Sequence, residues 1–258
     1  QYKNKEIEFI LHNWEGDWIM RGGTGDEARW SRKAGELIKA VDGDRYTVLV
    51  PSDSTQRINS MIKWFNARQR GVERARSEIR YSKCKIYHAI EANKVMDSMN
   101  GIPGIINSVL PQVRVDMVSW SCYDALSTTG LDEGINLYKG IEFIKQNFTP
   151  SAYMNKEKKV FLGEIGIPEQ RYEDLTTKEV IVANWDTYIA VCLSLNVPYI
   201  IQWELYCNEP KNEELRKLND TRNTDEMRGF WLIRPDGSKS FAANYFDCLM
   251  HNPTLLYR

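Results

Sequence analysis

The sequence predicts an α/β protein of the (β/α)-barrel type, and three observations predict it. Apolar runs of strand length recur along the chain, each followed by a segment of helical periodicity, which is the pattern of βα units that build a parallel sheet. The 258 residues suit one such barrel, as a single domain over residues 1–258. Polar and aromatic residues gather where the apolar runs end, at His12-Asn13-Trp14-Glu15, Glu91-Ala92-Asn93, Ser119-Trp120-Ser121-Cys122-Tyr123, Gly163-Glu164 and Gln202-Trp203-Glu204. In parallel barrels the active site is assembled at that face from several strand ends, so the pattern points to one shared pocket.

Taken in order, residues 7–13 (IEFILHN) open as a strand. A Gly-rich stretch at 21–25, a helix over 27–41 and an apolar run at 46–50 follow. The cluster Pro51-Ser52-Asp53-Ser54 stops that run and offers N-caps for a long helix reaching Ile79. Residues 85–91 (KIYHAIE) form the next strand, 102–110 a short helix, 115–122 (VDMVSWSC) a strand and 132–148 an amphipathic helix. Residues 159–165 (KVFLGEI) read as a buried strand, 177–196 as a helix capped by Thr176 or Thr177, and 199–205 (YIIQWEL) as a strand. An extended piece at 229–233 leads through Arg234-Pro235-Asp236-Gly237-Ser238 as a turn into a last helix over 241–250.

Composition narrows the function classes. The chain is 42% hydrophobic and 27% charged with a formal charge of -1, which disfavours a phosphate-backbone ligand. No apolar run approaches the roughly 20 residues of a membrane span, so neither nucleic acid nor membrane is an expected partner. Three His without an HxH pair, and five cysteines without a CxxC pair, leave no metal-ligand spacing. No cofactor is expected. Eight Trp and thirteen Tyr supply amphipathic rings that pack cores and also line grooves with a face available for stacking.

Cleaving a glycosidic bond needs two carboxyl groups, one to protonate the leaving oxygen and one to attack the anomeric carbon or support water there. Glu15 and Glu164 stand at strand ends among aromatic residues. The segments His12-Asn13-Trp14-Glu15-Gly16-Asp17-Trp18, Phe161-Leu162-Gly163-Glu164-Ile165-Gly166 and Ile201-Gln202-Trp203-Glu204-Leu205-Tyr206, with the closing stretch from Gly229 to Lys239, resemble the clan A glycoside hydrolases. Those are (β/α)8 retaining glycosidases whose acid/base Glu ends the fourth strand and whose nucleophile Glu ends the seventh.

The resemblance implies a TIM (β/α)8-type barrel, incomplete at the N-terminus. Counting the Glu15 strand as the fourth puts Glu164 on the seventh and leaves the first three before Gln1. The alternative is that 46–50 and 229–233 serve as barrel strands. The resemblance also implies Glu15 as acid/base, Glu164 as nucleophile, Trp203 as the floor under the sugar and Tyr123 as the residue positioning the nucleophile. It implies an oligo- or polysaccharide substrate and a secreted or periplasmic location. Retention requires the carboxyl groups about 5 to 5.5 Å apart.

In the family pattern an Asn directly precedes the acid/base, whereas here Trp14 separates Asn13 from Glu15. Strand alternation keeps those two on one side, within reach of a sugar hydroxyl. Trp14, Trp18, Trp120, Glu91, Asn93 and Glu204 complete the candidate substrate contacts, with Trp14 and Trp120 as half-buried walls. His12 and His88 read as structural or supporting residues. The competing reading is a barrel that binds carbohydrate without cleaving it.

Overall fold

A computed structural model describes residues 2–23, 39–41, 45–47, 52–79, 81–127, 130–171, 174–175, 177–212, 214–215 and 223–252. Its elements in chain order are β1 (Glu8–Leu11), α1 (Gly16–Arg21), β2 (Lys39–Val41), β3 (Arg45–Thr47), α2 (Ser54–Glu78), β4 (Lys85–Ala92), α3 (Val95–Met99) and β5 (Met117–Ser121). There follow α4 (Ile135–Asn147), β6 (Lys159–Ile165), β7 (Gln170–Arg171), β8 (Asp174–Leu175), α5 (Lys178–Ser194), β9 (Ile200–Gln202) and α6 (Phe241–His251). A π-helical turn at Ile105–Val109 occupies the expected short helix.

Five strands form one parallel sheet in the order β1-β4-β5-β6-β9. This corrects the expectation of a TIM (β/α)8-type barrel: five parallel strands are present among the described residues. Neither of the two segments that could have served as extra barrel strands does so among its described residues. Residues 45–47 pair antiparallel with 39–41 as a separate two-stranded ribbon. Residues 229–233 form no strand; Ile233 makes an isolated bridge to Lys239, while Phe230 and Leu232 bond to the backbone of Glu204. The helix expected over 27–41 falls outside the described residues up to position 38 and is strand from 39 on. The run at 46–50 is described only to Thr47, and the Gly-rich stretch only to Gly23.

The chain's contacts divide it into two compact units, Gln1–Asp124 with Lys139–Gly163, and Ala125–Tyr138 with Glu164–Arg258. In the first unit β4 reads KIYHAIEA and is buried from Tyr87 to its end, as a near-continuous apolar strand of a parallel sheet should be. Along α2 the buried residues Met61, Phe65, Gln69 and Val72 fall at spacings of four, four and three, which is one helical face. That face is anchored on a buried carboxylate. Asp116 accepts bonds from the backbone N–H of His88 (2.8 Å), from Gln69 Nε2 (3.2 Å), from Ser151 Oγ and from the Arg76 guanidinium. Burial alone raises its pKa, but these donors outweigh that and hold the carboxyl below its ordinary value.

His88 is fully buried beside it and stays neutral. Arg68 Nε donates to His88 Nε2 at 3.2 Å, so Nδ1 carries the proton toward Gln69 Oε1 at 3.1 Å. Burial, reinforced by the Arg68 charge, pushes its pKa down to about 4.

Strand alternation then sorts β5. Ser119 and Ser121 turn to one face, and Trp120 to the other, where a Cβ on Gly140 of α4 would come within 2.3 Å of its ring. At Gly163 of β6 an added Cβ would lie 2.0 Å from Ser119 Oγ and 2.7 Å from Glu91 Oε2.

In the second unit Thr177 Oγ1 accepts the Val180 N–H to cap α5, and Ser240 Oγ accepts the Ala243 N–H to cap α6. The two helices meet where Trp185 packs edge-on against Phe246, their centroids 4.7 Å apart. A buried Glu169 ties the C-terminal turn to α6. It accepts from Trp231 Nε1 (2.7 Å), from Arg234 Nε (2.8 Å) and from the N–H of Phe241 (2.7 Å).

Two glycine substitutions test this packing by urea unfolding. Gly163→Ala should lose about 1–3 kcal/mol through overpacking. Gly71→Ala, in α2 with nothing within 4 Å of the new Cβ, should gain about 0.5–1 kcal/mol. Wild-type stability in Gly163→Ala contradicts the close approach of β6 to Ser119.

Candidate functional site

The end of β1 is built almost atom by atom from the segment His12-Asn13-Trp14-Glu15-Gly16-Asp17. Asn13 is buried, and its side chain bonds both ways to one residue of β4: Nδ2 donates to the Glu91 carbonyl (3.1 Å), and Oδ1 accepts the Glu91 N–H (3.1 Å). Gly16 is required because a Cβ there would sit 2.5 Å from that same Glu91 carbonyl. Asp17, fully buried, accepts the N–H groups of Asn93 (2.9 Å) and Lys94 (3.0 Å) on one oxygen and of Ile105 (2.8 Å) on the other. Three members of the segment thus close the exits of β1 and β4 against each other.

Glu15, between them, is half-buried with φ 27° and ψ 71°. A non-glycine residue in that region costs about 1–3 kcal/mol and persists only when its surroundings over-determine it. Here its N–H donates to Glu91 Oε1 at 3.2 Å. Trp14 beside it is 57% exposed, more open than a half-buried wall. Trp18 is half-buried, with Lys94 Nζ 4.3 Å from its ring centroid.

Glu91 is the centre of this cluster. Its carboxylate is 2% exposed and accepts from Ser119 Oγ (2.8 Å), Ser121 Oγ (2.8 Å), the Glu15 N–H and His12 Nδ1 (3.0 Å). Burial alone raises its pKa; the bonds from His12, the two serines and the Glu15 amide outweigh that and hold it below the ordinary carboxylate value. His12 shifts the other way. Its bond to Glu91 raises its pKa against the opposing effect of burial. The imidazole lies edge-on to Phe161 at 6.2 Å, with its Nδ1 committed to Glu91 and the Asn13 carbonyl.

The remaining expected residues of the first unit part company. Trp120, expected as a groove wall, is instead fully buried in the core with Nε1 on Asp124 (3.2 Å). Asn93 is buried too, and its Oδ1 finds no hydrogen-bond partner among the described residues. Tyr123 is half-buried in a single 3-10 turn, Tyr123–Ala125. In the second unit Glu164 is half-buried near the end of β6. Trp203 is half-buried with its indole fixed: Nε1 donates to Glu209 Oε1 (2.9 Å), and Glu209 Oε2 accepts from Arg228 (2.5 Å). The Trp203–Glu204 peptide is cis. Glu204 accepts the Asn208 N–H (3.1 Å), and its pKa is raised by burial and secondarily by Glu209.

From the sequence His12 reads as a supporting residue, and Ser119 and Ser121 are not among the candidate site residues. The signal for the serines was their alternation, Ser-x-Ser, in a strand that pairs Glu91 with Ser119. Glu209 carried no signal beyond proximity to Trp203. Among the described residues no group of three His, Cys, Asp or Glu is placed to hold a metal ion, and no helix is long and apolar enough to cross a membrane. Set against models of known protein families, curated proteins and solved structures, the chain matches none.

The shifts of His12 and Glu91 fix a pH window. His12, raised above its ordinary 6.5, contributes stability below 6.5 that is lost as pH rises through its folded pKa. Glu91, lowered from 4.5, contributes stability above 4.5 that is lost as pH falls through its folded pKa. The pair therefore acts at full strength between those values. In a histidine NMR titration one imidazole should ionise above 6.5 and another, His88, near 4. Glu91→Gln should move the first down and leave the second in place. An unmoved high value in that variant contradicts the pairing.

Proposed function

We propose that this protein is a retaining glycoside hydrolase acting on an oligo- or polysaccharide, with Glu15 as general acid/base and Glu164 as nucleophile. The observation that carries the reading is the state of Glu15, a half-buried carboxylic residue held at positive φ at a strand end, its amide fixed by a buried carboxylate. Asn13, Gly16 and Asp17 are accounted for by closing the strand ends. Folding alone gives no reason for a strained glutamate among them. Proton transfer to a leaving group requires a positioned carboxyl, and a backbone fixed at Glu15 limits where that carboxyl can go.

The chemistry runs in two steps. The Glu164 carboxylate attacks the anomeric carbon while Glu15 gives its proton to the departing glycosidic oxygen. Glu15 then takes a proton from water, which attacks the anomeric carbon and releases Glu164 with net retention. Support for a sugar ligand comes from Trp203, a half-buried indole that Glu209 holds in one orientation and that would stack on pyranose C–H groups. The exposed Trp14 beside Glu15 offers a second stacking surface.

The test is hydrolysis of a panel of aryl glycosides and unactivated oligosaccharides, with product anomers read by NMR. Glu164→Gln should abolish turnover and keep the wild-type fold. Glu15→Gln should slow unactivated substrates by about 10²–10⁴-fold, and aryl glycosides with good leaving groups far less in the first step. Full activity in Glu164→Gln, or inverted products, overturns the assignment. Oligosaccharide binding by the intact protein without hydrolysis leaves the binding-only reading in its place.

A further inference from the structure

We infer that the first unit carries a second binding site, for an oxyanion of the phosphate or sulfate class, in a cleft formed by α2 and the segments 111–114 and 148–158. Two open hollows of about 440 and 460 Å³ adjoin there and share Arg114 and Thr149 in their walls. Arg70 lines the first, and Lys156 and Lys158 line the second. Among the described residues Glu73 is the one carboxylate in the two walls, against the four cations Arg70, Arg114, Lys156 and Lys158.

The distribution of arginine partners singles this cleft out. The described arginine side chains of this unit are Arg21, Arg57, Arg68, Arg70, Arg74, Arg76 and Arg114. Arg21 pairs with Asp97, Arg57 with Asp53, Arg74 with Glu78 and Arg76 with Asp116, while Arg68 bonds His88 and covers Trp64. The two without a partner among the described residues, Arg70 and Arg114, both line the cleft. Lys156 also has no partner among the described residues, and it stands at φ 69° directly after Asn155 at φ 47°. Lys158 donates to the Lys145 carbonyl, which leaves its charge uncompensated.

Like charges gathered in a concavity repel one another and focus a positive potential. An oxyanion relieves both effects, and a guanidinium fork matches its paired oxygens. The hollows are larger than one inorganic ion, so the ligand is a phosphorylated or sulfated molecule whose charged group seats at Arg114. This site is independent of the carboxylates proposed for hydrolysis.

Amide NMR at constant ionic strength tests it, with sodium phosphate, pyrophosphate and a sulfated disaccharide as probes. Wild type should show saturable shifts confined to 66–73 of α2, 111–114 and 148–158, and the tighter of pyrophosphate and sulfated disaccharide identifies the source of the oxyanion. Arg114→Ala should weaken binding at least about tenfold, and Lys139→Ala, on exposed α4 surface outside the cleft, should not change it. Arg70→Ala and Lys156→Ala give an independent reading if Arg114→Ala fails to fold. Shifts that never saturate, equal affinity in Arg114→Ala or in both alternative variants, or an equal loss in Lys139→Ala each overturn the site.

Discussion

A carboxylate buried at a strand end is expensive, and the first unit is arranged around making one tolerable. Glu91 is almost fully removed from water, a transfer that costs several kcal/mol unless every lone pair finds a donor. The donors come from both sides. His12 and the Glu15 amide belong to the exit of β1, and Ser119 and Ser121 to β5. One ionised side chain therefore fixes three adjacent strand ends, and Gly163 of β6 is small because Glu91 and Ser119 occupy the space its side chain would need. Removing the side chain would leave two serines, an amide and an imidazole without their acceptor.

From that constraint the local sequence follows. Asn13 bonds the backbone of Glu91, Gly16 lets the chain pass its carbonyl, and Asp17 gathers the amides that leave β4 and enter the next turn. Glu15 sits among them at positive φ with its amide on Glu91, and the bonds made elsewhere in the cluster offset its strain. The second unit uses the device on a smaller scale: Glu209 joins Trp203 to Arg228 and so decides where the indole faces.

Much of the element order was legible because periodicity and caps are local. Residues 159–165 were read with the bounds they have, and Thr177 caps α5 as its position before an apolar helix suggested. The barrel count failed on strand partners: residues 45–47 pair with 39–41, six positions upstream, a local ribbon that Asp-Gly between two short runs could have signalled. Trp120 was placed at a groove wall for standing at a strand end, although alternation turns it toward α4 when its neighbours Ser119 and Ser121 face Glu91. Glu91 itself was visible as a strand-end acid. Its central place was not, because that depends on the register pairing it with Ser119.

The claim that Glu164 is a nucleophile is tested most directly by trapping the sugar on it. A 2-deoxy-2-fluoro glycoside with a good leaving group slows the oxocarbenium-like transition states of both steps, while the leaving group keeps the first step the faster one. The glycosyl-enzyme then accumulates. One fluorosugar per chain is expected, mapped by peptide mass spectrometry to Glu164. A label on another carboxylate, or hydrolysis of natural substrate with no trapped intermediate, would contradict it.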